Sequence, residues 1–280
     1  AKHPDYWEPD TLRLISNARN NEIRAEVISL YYKQPFSSLV PDFEGAISLP
    51  TGFNTFNANG NAHNITGNAP SGTACEDKPA IVVNRSETRD ALPNNLNTEG
   101  NPDILVKNDL SYEPTDELIE RLSNTNGVKY LSGKLSGSGV DMGSPTNPGV
   151  FFVEDDLKIT GGKIKGYGIL VVRSFGEMEY VDENGTVLDL AGNFEFNGLV
   201  VFENAYDFKG RGTPTINGTV LIGNTDLMGN DSIDIDLGGN ISINYDCEAE
   251  EYARMAAANA VKQNKYTRRV TTEGVNFAQN

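Results

Sequence analysis

The most regular pattern in the sequence is a glycine followed by four mostly β-branched or aromatic residues, which occurs four times in the second half of the chain. The four runs are Gly149–Val153, Gly168–Val172, Gly198–Phe202 and Gly218–Ile222. Such a run is typical of a buried strand that follows a turn. The glycines are 19, 30 and 20 residues apart. Two of these steps are nearly equal, and a period of about twenty residues predicts stacked β-coils.

Shorter segments between these runs alternate apolar and polar residues, so that one face of each strand points inward. They are Leu157–Thr160, Leu188–Leu190, Phe194–Phe196 and Ile241–Ile243. A coil of this kind cannot bury its apolar face alone, so the next coil must stack on it through parallel strands. We therefore predict a mainly β fold with a parallel β-helix, or β-solenoid, over residues 129–246, right-handed like most parallel crossovers.

One insertion interrupts the period between Arg173 and Gly192. It contains the sequence Asp182-Glu183-Asn184-Gly185. The Asn-Gly pair predicts a hairpin that projects from the wall of the solenoid.

The first 33 residues show a spacing close to that of a helix. Apolar residues recur at Leu12, Ile15, Ile23, Val27 and Leu30. Pro9 suits the first turn of a helix, and Pro35 suits its end. We predict an N-terminal helical segment over residues 1–33.

Residues 34–128 mix short apolar runs, such as Ile47–Leu49 and Ala80–Val83, with Asn, Gly, Pro and Ser. This mixture predicts a loop-rich β region. Within it, a stripe of apolar residues predicts a short helix over residues 114–124.

The chain changes character after Tyr245. Residues 248–265 are rich in alanine, with acidic residues first and Lys262 and Lys265 last, an order that suits a helix dipole. We predict a C-terminal capping helix and tail over residues 247–280, in which the helix covers the sheet edge that a solenoid leaves open.

The chain is acidic, with a formal net charge of -16 at pH 7. Such a surface repels nucleic acid and anionic membranes, so we expect no nucleic-acid partner. The same charge suits solubility outside the cell or the binding of cations.

Catalytic signatures are not evident in the sequence. The two histidines, His3 and His63, stand in no recognisable catalytic motif. We predict a protein that is not an enzyme and has no cofactor, with calcium as the one exception to test. Gly229–Asp236 is similar to one calcium-binding nonapeptide repeat and offers Asp231 and Asp234 as ligands, although an ordinary acidic turn is the alternative because a single copy cannot build a site shared by successive coils.

The sequence has two cysteines, Cys75 and Cys247, which are too far apart to suggest a zinc site. In an oxidising compartment they would form one disulfide that closes a long loop. Two unpaired thiols are the alternative.

Several segments together resemble the C-terminal region of PilX-like proteins, which take part in type IV pilus assembly. These segments are Pro148–Ile159, Gly168–Val172, Gly192–Val201, Ile216–Val220 and Ile243–Ala249, with Gly60–Gly67 and Pro79–Val83 before them. The resemblance covers most of the chain between Gly60 and Ala249, and similar strands with corner glycines also occur in bactofilins and adhesins.

The resemblance implies a non-enzymatic structural or interaction protein of the cell surface, exported by a bacterium, with cell adhesion as an associated role. It would be a pilin-like subunit or an accessory component of a type IV pilus or related filament, and its partners would be other pilin-like subunits or copies of itself. The alternative is a secreted glycan-binding or glycan-cleaving β-helix protein. A solenoid that polymerises end to end is a third interpretation, which the predicted capping helix opposes.

Members of that family begin with an apolar pilin-type helix, which this sequence does not show. Residues 1–7 look like sequence that would follow such a helix, and Ala1 looks like a processed or truncated start. Three explanations stay open: the helix was removed, a separate anchor chain supplies it, or the protein is not a pilin.

Overall fold

The structure is a computed structural model, and it describes residues 11–20, 23–32, 39–59, 63–125, 127–136, 140–160, 162–173, 187–205, 207–223, 233–261 and 268–272. The helices in these ranges are α1 (Ser86–Asp90), α2 (Glu113–Ser123) and α3 (Cys247–Val261). The strands are β1 (Thr11–Asn20), β2 (Ile23–Tyr32), β3 (Ile47–Leu49), β4 (Thr55–Asn59), β5 (Asn64–Thr66), β6 (Ile81–Val83), β7 (Thr98–Glu99), β8 (Ile104–Val106), β9 (Val128–Leu135), β10 (Gly149–Ile159), β11 (Lys163–Arg173), β12 (Val187–Leu190), β13 (Asn193–Glu203), β14 (Asp207–Gly210), β15 (Thr215–Gly223), β16 (Asp234–Gly238), β17 (Ser242–Tyr245) and β18 (Arg268–Thr272).

The fold is mainly β, and its strands form two sheets. Strands β1, β2 and β18 make an antiparallel sheet of three strands. The other 15 strands make one large sheet whose path does not close on itself. The pairings between its strands are parallel. The prediction of a mainly β protein built on parallel strands is therefore confirmed.

The pairings of the large sheet fall into three columns of stacked segments. Column A runs through the first halves of β11, β13 and β15 and then through β17, β5 and β7. Column B runs through the first halves of β9 and β10, the second halves of β11, β13 and β15, and then β3, β6 and β8. Column C runs through the second halves of β9 and β10 and then through β12, β14, β16 and β4.

The glycines of the repeated sequence pattern stand between column A and column B. Gly168, Gly198 and Gly218 lie side by side in the ladder, with φ angles of +122, +147 and +133 degrees. L-residues with a side chain rarely adopt such angles. A Cβ atom at Gly198 would also lie 1.9 Å from the carbonyl oxygen of Gly168. Glycine is therefore required both for the backbone angle and for the close approach of neighbouring strands.

The three columns differ in how many faces they bury, and this difference explains the two kinds of strand pattern in the sequence. In the second half of β13, which lies in column B, every residue is buried. Strands β14 and β16 of column C alternate buried and half-buried residues. A parallel strand that is covered on both faces reads as a continuous apolar run, whereas a strand with one solvated face alternates.

Helix α3 packs against the side of the stack. It contacts β10, β11, β13 and β15. The Cβ atom of Ala256 lies 3.0 Å from where a Cβ of Gly168 would be, and the Cβ atom of Ala249 lies 3.2 Å from that position at Gly218. The C-terminal helix is therefore present, but it covers the side of the stack and not a sheet edge, which corrects the predicted capping role.

The order of the segments in the stack differs from their order in the chain. Column B begins with β9, continues to β15 and then returns to β3, β6 and β8 from the first half of the sequence. The contact between the two halves pairs Val220 with Ile47 in column B, Asp234 with Thr55 in column C and Ser242 with Asn64 in column A. The chain between β8 and β9, which includes α2, therefore connects one end of the stack to the other.

The prediction of an N-terminal helical segment over residues 1–33 is wrong where the structure describes it. Residues 11–20 and 23–32 form the paired strands β1 and β2, with Asn20 opposite Ile23. The physical reason is visible in the sequence, because Leu12 and Leu14 also alternate with polar residues and Asn20 disfavours a continuous helix.

The short helix predicted over residues 114–124 is confirmed as α2, one residue earlier at each end. Its apolar residues Leu118, Ile119 and Leu122 are buried. The hairpin predicted at Asp182-Glu183-Asn184-Gly185 lies outside the described residues.

Candidate functional site

A group of charged residues, some buried and some half-buried, lies where the strands of column B end. Glu154, Arg173 and Glu203 each follow an apolar run at the same position, five residues after the glycine that starts the run. Arg173 and Glu203 are partners in the parallel ladder. Tyr112 and Asp116, at the start of α2, complete the group. We call these five residues the carboxyl cluster.

Arg173 binds Glu154 within this cluster. Its Nη2 and Nε atoms lie 2.7 and 3.0 Å from the same carboxylate oxygen, Oε1 of Glu154. The guanidinium carbon lies 4.6 Å from the centre of the Phe152 ring, so the cation also interacts with the face of that ring. Because Arg173 is buried, this ion pair is better shielded from water and salt than a surface pair would be.

The carboxyl group of Glu203 faces other acidic groups inside the protein. The Tyr112 hydroxyl donates to Oε1 of Glu203 at 3.3 Å. Burial raises the pKa of Glu203 to about 7, repulsion from Asp116 adds to the rise, and Arg173 and the Tyr112 hydrogen bond oppose it. The cluster therefore holds a proton close to neutral pH.

The carboxyl cluster fastens the start of α2 to the stack. The Tyr112 ring lies over Gly223, where an added Cβ would be only 2.0 Å from Cδ2 of Tyr112. Burial also raises the pKa of Tyr112 well above its ordinary value, with a contribution from the Glu203 charge. The exposed fractions of Tyr112 and Glu203 are 5% and 8%. These buried groups suit a structural contact that holds the start of α2 against the stack.

This cluster is not among the predicted site residues, although the sequence carries a signal for it. The residues that follow the apolar runs are Glu154, Arg173, Glu203 and Gly223. Stacked coils place such equivalent positions in one line, so alternating charges there indicate a charge ladder. Tyr112 and Asp116 carry no comparable signal, because their place depends on how residues 107–127 return along the stack.

The two cysteines form a disulfide in the structure. The Cα atoms of Cys75 and Cys247 are 5.8 Å apart, and 172 positions separate the two residues in the sequence. Cys75 lies in the loop between β5 and β6, and Cys247 is the first residue of α3. The bond therefore ties the N-terminal part of the stack to the helix that covers its side.

The structure describes one of the two predicted calcium ligands. Asp231 lies outside the described residues. Oδ1 of Asp234 accepts hydrogen bonds from Nδ2 of Asn54 at 2.8 Å and from Oγ1 of Thr55 at 2.7 Å, and these contacts join β16 to β4. Among the described residues no group of three or more potential metal ligands occurs. The calcium site stays a prediction.

Of the two histidines, the structure describes His63 and not His3. His63 is fully buried, and its Nε2 atom accepts a hydrogen bond from the backbone nitrogen of Asn97 at 3.1 Å. This contact gives His63 a role in packing the loop before β7.

The two ends of the stack present strand edges. In the part of the chain that the structure describes, β9 pairs with β10 alone and β8 pairs with β6 alone. Tyr130 of β9 has an exposed fraction of 56%, and its ring lies 5.7 Å from that of Phe152 on the next strand. A strand with one unpaired edge offers backbone donors and acceptors to another strand.

No helix within the described ranges is long and apolar enough to cross a membrane. Compared with known protein families, with curated proteins and with solved structures, the chain matches none.

Proposed function

We propose that this protein is a non-enzymatic structural or interaction protein of the cell surface, namely a pilin-like subunit or accessory component of a type IV pilus or a related filament. We further propose that columns A, B and C are the three walls of a right-handed β-solenoid. The observation that carries the proposal is a parallel stack locked along its side by both a helix and a disulfide. Such a body suits display outside the cell, where a protein must keep its shape without repair.

A line of asparagine side chains adds to the locking of column A. Nδ2 of Asn217 donates to Oδ1 of Asn197 at 3.0 Å, and Nδ2 of Asn244 donates to Oδ1 of Asn217 at 2.9 Å. Each amide bridges two neighbouring strands, as in other stacked parallel sheets. These bonds fix the register of three successive coils and support a rigid role.

The disulfide supports a location outside the cytoplasm. Disulfides persist in oxidising compartments and are rare where thiols are kept reduced. The acidic balance of the chain, with a net charge of -16, favours solubility there. Both features agree with an exported protein, and neither requires an enzymatic role.

Removal of residues 1–33 tests the proposed function. We expect the shortened protein to be exported and folded but to be lost from surface filaments isolated from the native source. Immunoblotting of filament fractions measures incorporation, and circular dichroism of the purified protein checks the fold. Unchanged incorporation would contradict the proposal. Binding on a glycan array, or release of reducing ends from a polysaccharide, would favour the glycan-directed alternative instead.

A further inference from the structure

We propose that the two ends of the stack are complementary surfaces, through which copies of this chain join head to tail, with β9 of one copy adding in parallel to β8 of the next. The inference deepens the proposed structural function and rests on it. It names the partner as a second copy of this chain and the contact as a strand pairing within column B.

The strand edges at the two ends of column B are arranged so that one copy can continue the column of another. In a parallel pair each strand directs alternate backbone groups to its two sides. The described partner of β8 is β6, through Ile81 to Ile104 and Val83 to Val106, and the described partner of β9 is β10. Both edges belong to column B and run in the same direction. A copy placed on either end would therefore continue the column.

The apolar interior of the stack extends to both of its ends. Ile104 and Val106 of β8 are half-buried and pack against the core. Val128, Leu131 and Leu135 of β9 do the same at the opposite end. Within the stack the equivalent residues Val150 and Val153 are almost completely buried. Adding a copy would bury the end residues in the same way, and apolar burial favours association.

The two ends of the stack carry charges of opposite sign. Strand β9 carries Lys129 and Lys134 and no acidic residue, whereas residues 98–106 carry Glu99 and Asp103 and no basic residue. The side chains of all four residues are exposed. Lys134 lies in column C and Glu99 in column A, whereas the register of column B would set Lys129 opposite Ile104, beside Asp103. Lys129, which also binds Asp141 at 2.6 Å, and Asp103 are therefore the expected charged contact. Opposite charges at the two ends select a head-to-tail contact over a head-to-head one.

The position of α3 leaves this contact accessible. A helix over a sheet edge would oppose stacking, but α3 covers β10, β11, β13 and β15 from the side. A head-to-tail contact is heterologous, and repeating it without closure gives a filament. The expected product is therefore a linear series of copies and not a closed dimer.

The experiment uses the purified full chain and two charge reversals at the column B contact, K129E and D103K. Sedimentation velocity at increasing protein concentration measures the size of the assemblies. We expect the wild type to form a concentration-dependent series, each single variant to associate at least tenfold more weakly, and an equal mixture of the two variants to recover association. K163E, which reverses an exposed charge on column A, is the matched control and should behave as the wild type does.

Cross-linking gives a second readout of orientation. D103C and K129C, mixed and treated with a short bismaleimide, should yield a mixed dimer in preference to either dimer with itself. A wild type that stays monomeric at its solubility limit would overturn the inference, and so would association that ignores both charge reversals. If such a monomeric protein still enters native filaments, the head-to-tail contact is wrong while the proposed function stands.

Discussion

Gly198 shows how the absence of a side chain sets the distance between strands. Its neighbours in the ladder are Gly168 and Gly218, so three glycines in line let the backbones pass closely at the boundary between columns A and B. A Cβ at Gly198 would lie 1.9 Å from the Gly168 carbonyl oxygen. Because that obstacle is backbone and not a flexible side chain, it cannot move without shifting a strand.

We expect G198A to lower the free energy of unfolding by more than about 3 kcal/mol, since it combines an unfavourable φ with a backbone clash. Chemical denaturation measures the loss. G72A is the control, because Gly72 also has a positive φ but an added Cβ there would meet nothing within 4 Å. It should cost about 1 to 2 kcal/mol. Equal losses for the two variants would show that the close approach does not matter.

At Glu203 a single carboxyl group links stability to pH. The pKa of Glu203 is raised from 4.5 to about 7 in the folded protein. Its contribution to stability is therefore fully present below the unfolded pKa and is lost as the pH rises through about 7. The full loss is of the order of 3 kcal/mol.

We expect E203Q, which stays neutral, to remove this part of the pH dependence. Urea denaturation at pH 5 and pH 8.5 should show a smaller loss of stability for E203Q than for the wild type. E120Q neutralises an exposed carboxylate of α2 and should keep the wild-type difference. If E203Q loses as much stability at high pH as the wild type does, the carboxyl cluster does not hold the proton.

At the scale of elements, the alanines of α3 and the glycines of the stack that they contact are equally far apart. Ala249 and Ala256 are seven residues apart, which is about 10 Å along a helix. Gly218 and Gly168 are two strands apart, which is also about 10 Å in the hydrogen-bonding direction. The helix axis therefore follows the stacking direction, and small residues on both surfaces allow the close contact.

We expect A256L to destabilise the protein by about 1 to 3 kcal/mol, because the larger side chain would enter a fully packed contact with the glycine line. Thermal denaturation followed by circular dichroism measures this effect. A258L places the same side chain at a half-exposed position of the same helix and should change stability by less than about 0.5 kcal/mol. Similar values for both variants would argue against tight packing of α3.

At the scale of the whole molecule, the sequence was sufficient to predict the pairing of the repeated strands. It was insufficient to predict how strands from the first half of the chain extend the stack. The runs that begin at Gly149, Gly168, Gly198 and Gly218 predicted strands that stand side by side, because a fixed period implies equal coils. The pairing of Ile47 with Val220 had no such signal, since residues 47–106 do not share that period. The contact between Tyr112 and Glu203 could not be predicted for the same reason. It depends on the path of the chain between β8 and β9, and no local pattern in the sequence indicates that path.

The disulfide affects the stability of the whole molecule because it closes a loop of 172 residues. In the chain-entropy model a loop of that length stabilises the folded state by about 5 kcal/mol. We expect the wild type to unfold at a lower urea concentration when dithiothreitol is present. The double variant C75S/C247S should match the reduced wild type and show no response to the reductant. A wild type that unfolds identically with and without dithiothreitol would contradict the expectation.

The strands follow one another in a different order in the sheet than in the chain, and this difference affects the order in which they can pair during synthesis. Synthesis delivers β3, β4 and β5 first, yet their partners β15, β16 and β17 emerge only after most of the chain has followed. Until then the early segment has an unpaired apolar edge, and such edges aggregate. Strands β9, β10 and β11 meet their partners with far shorter delays, so we expect folding to start in the middle of the sequence and β3, β4 and β5 to pair with β15, β16 and β17 last. The first strands of the stack would then stay exposed until the rest of the large sheet is completed.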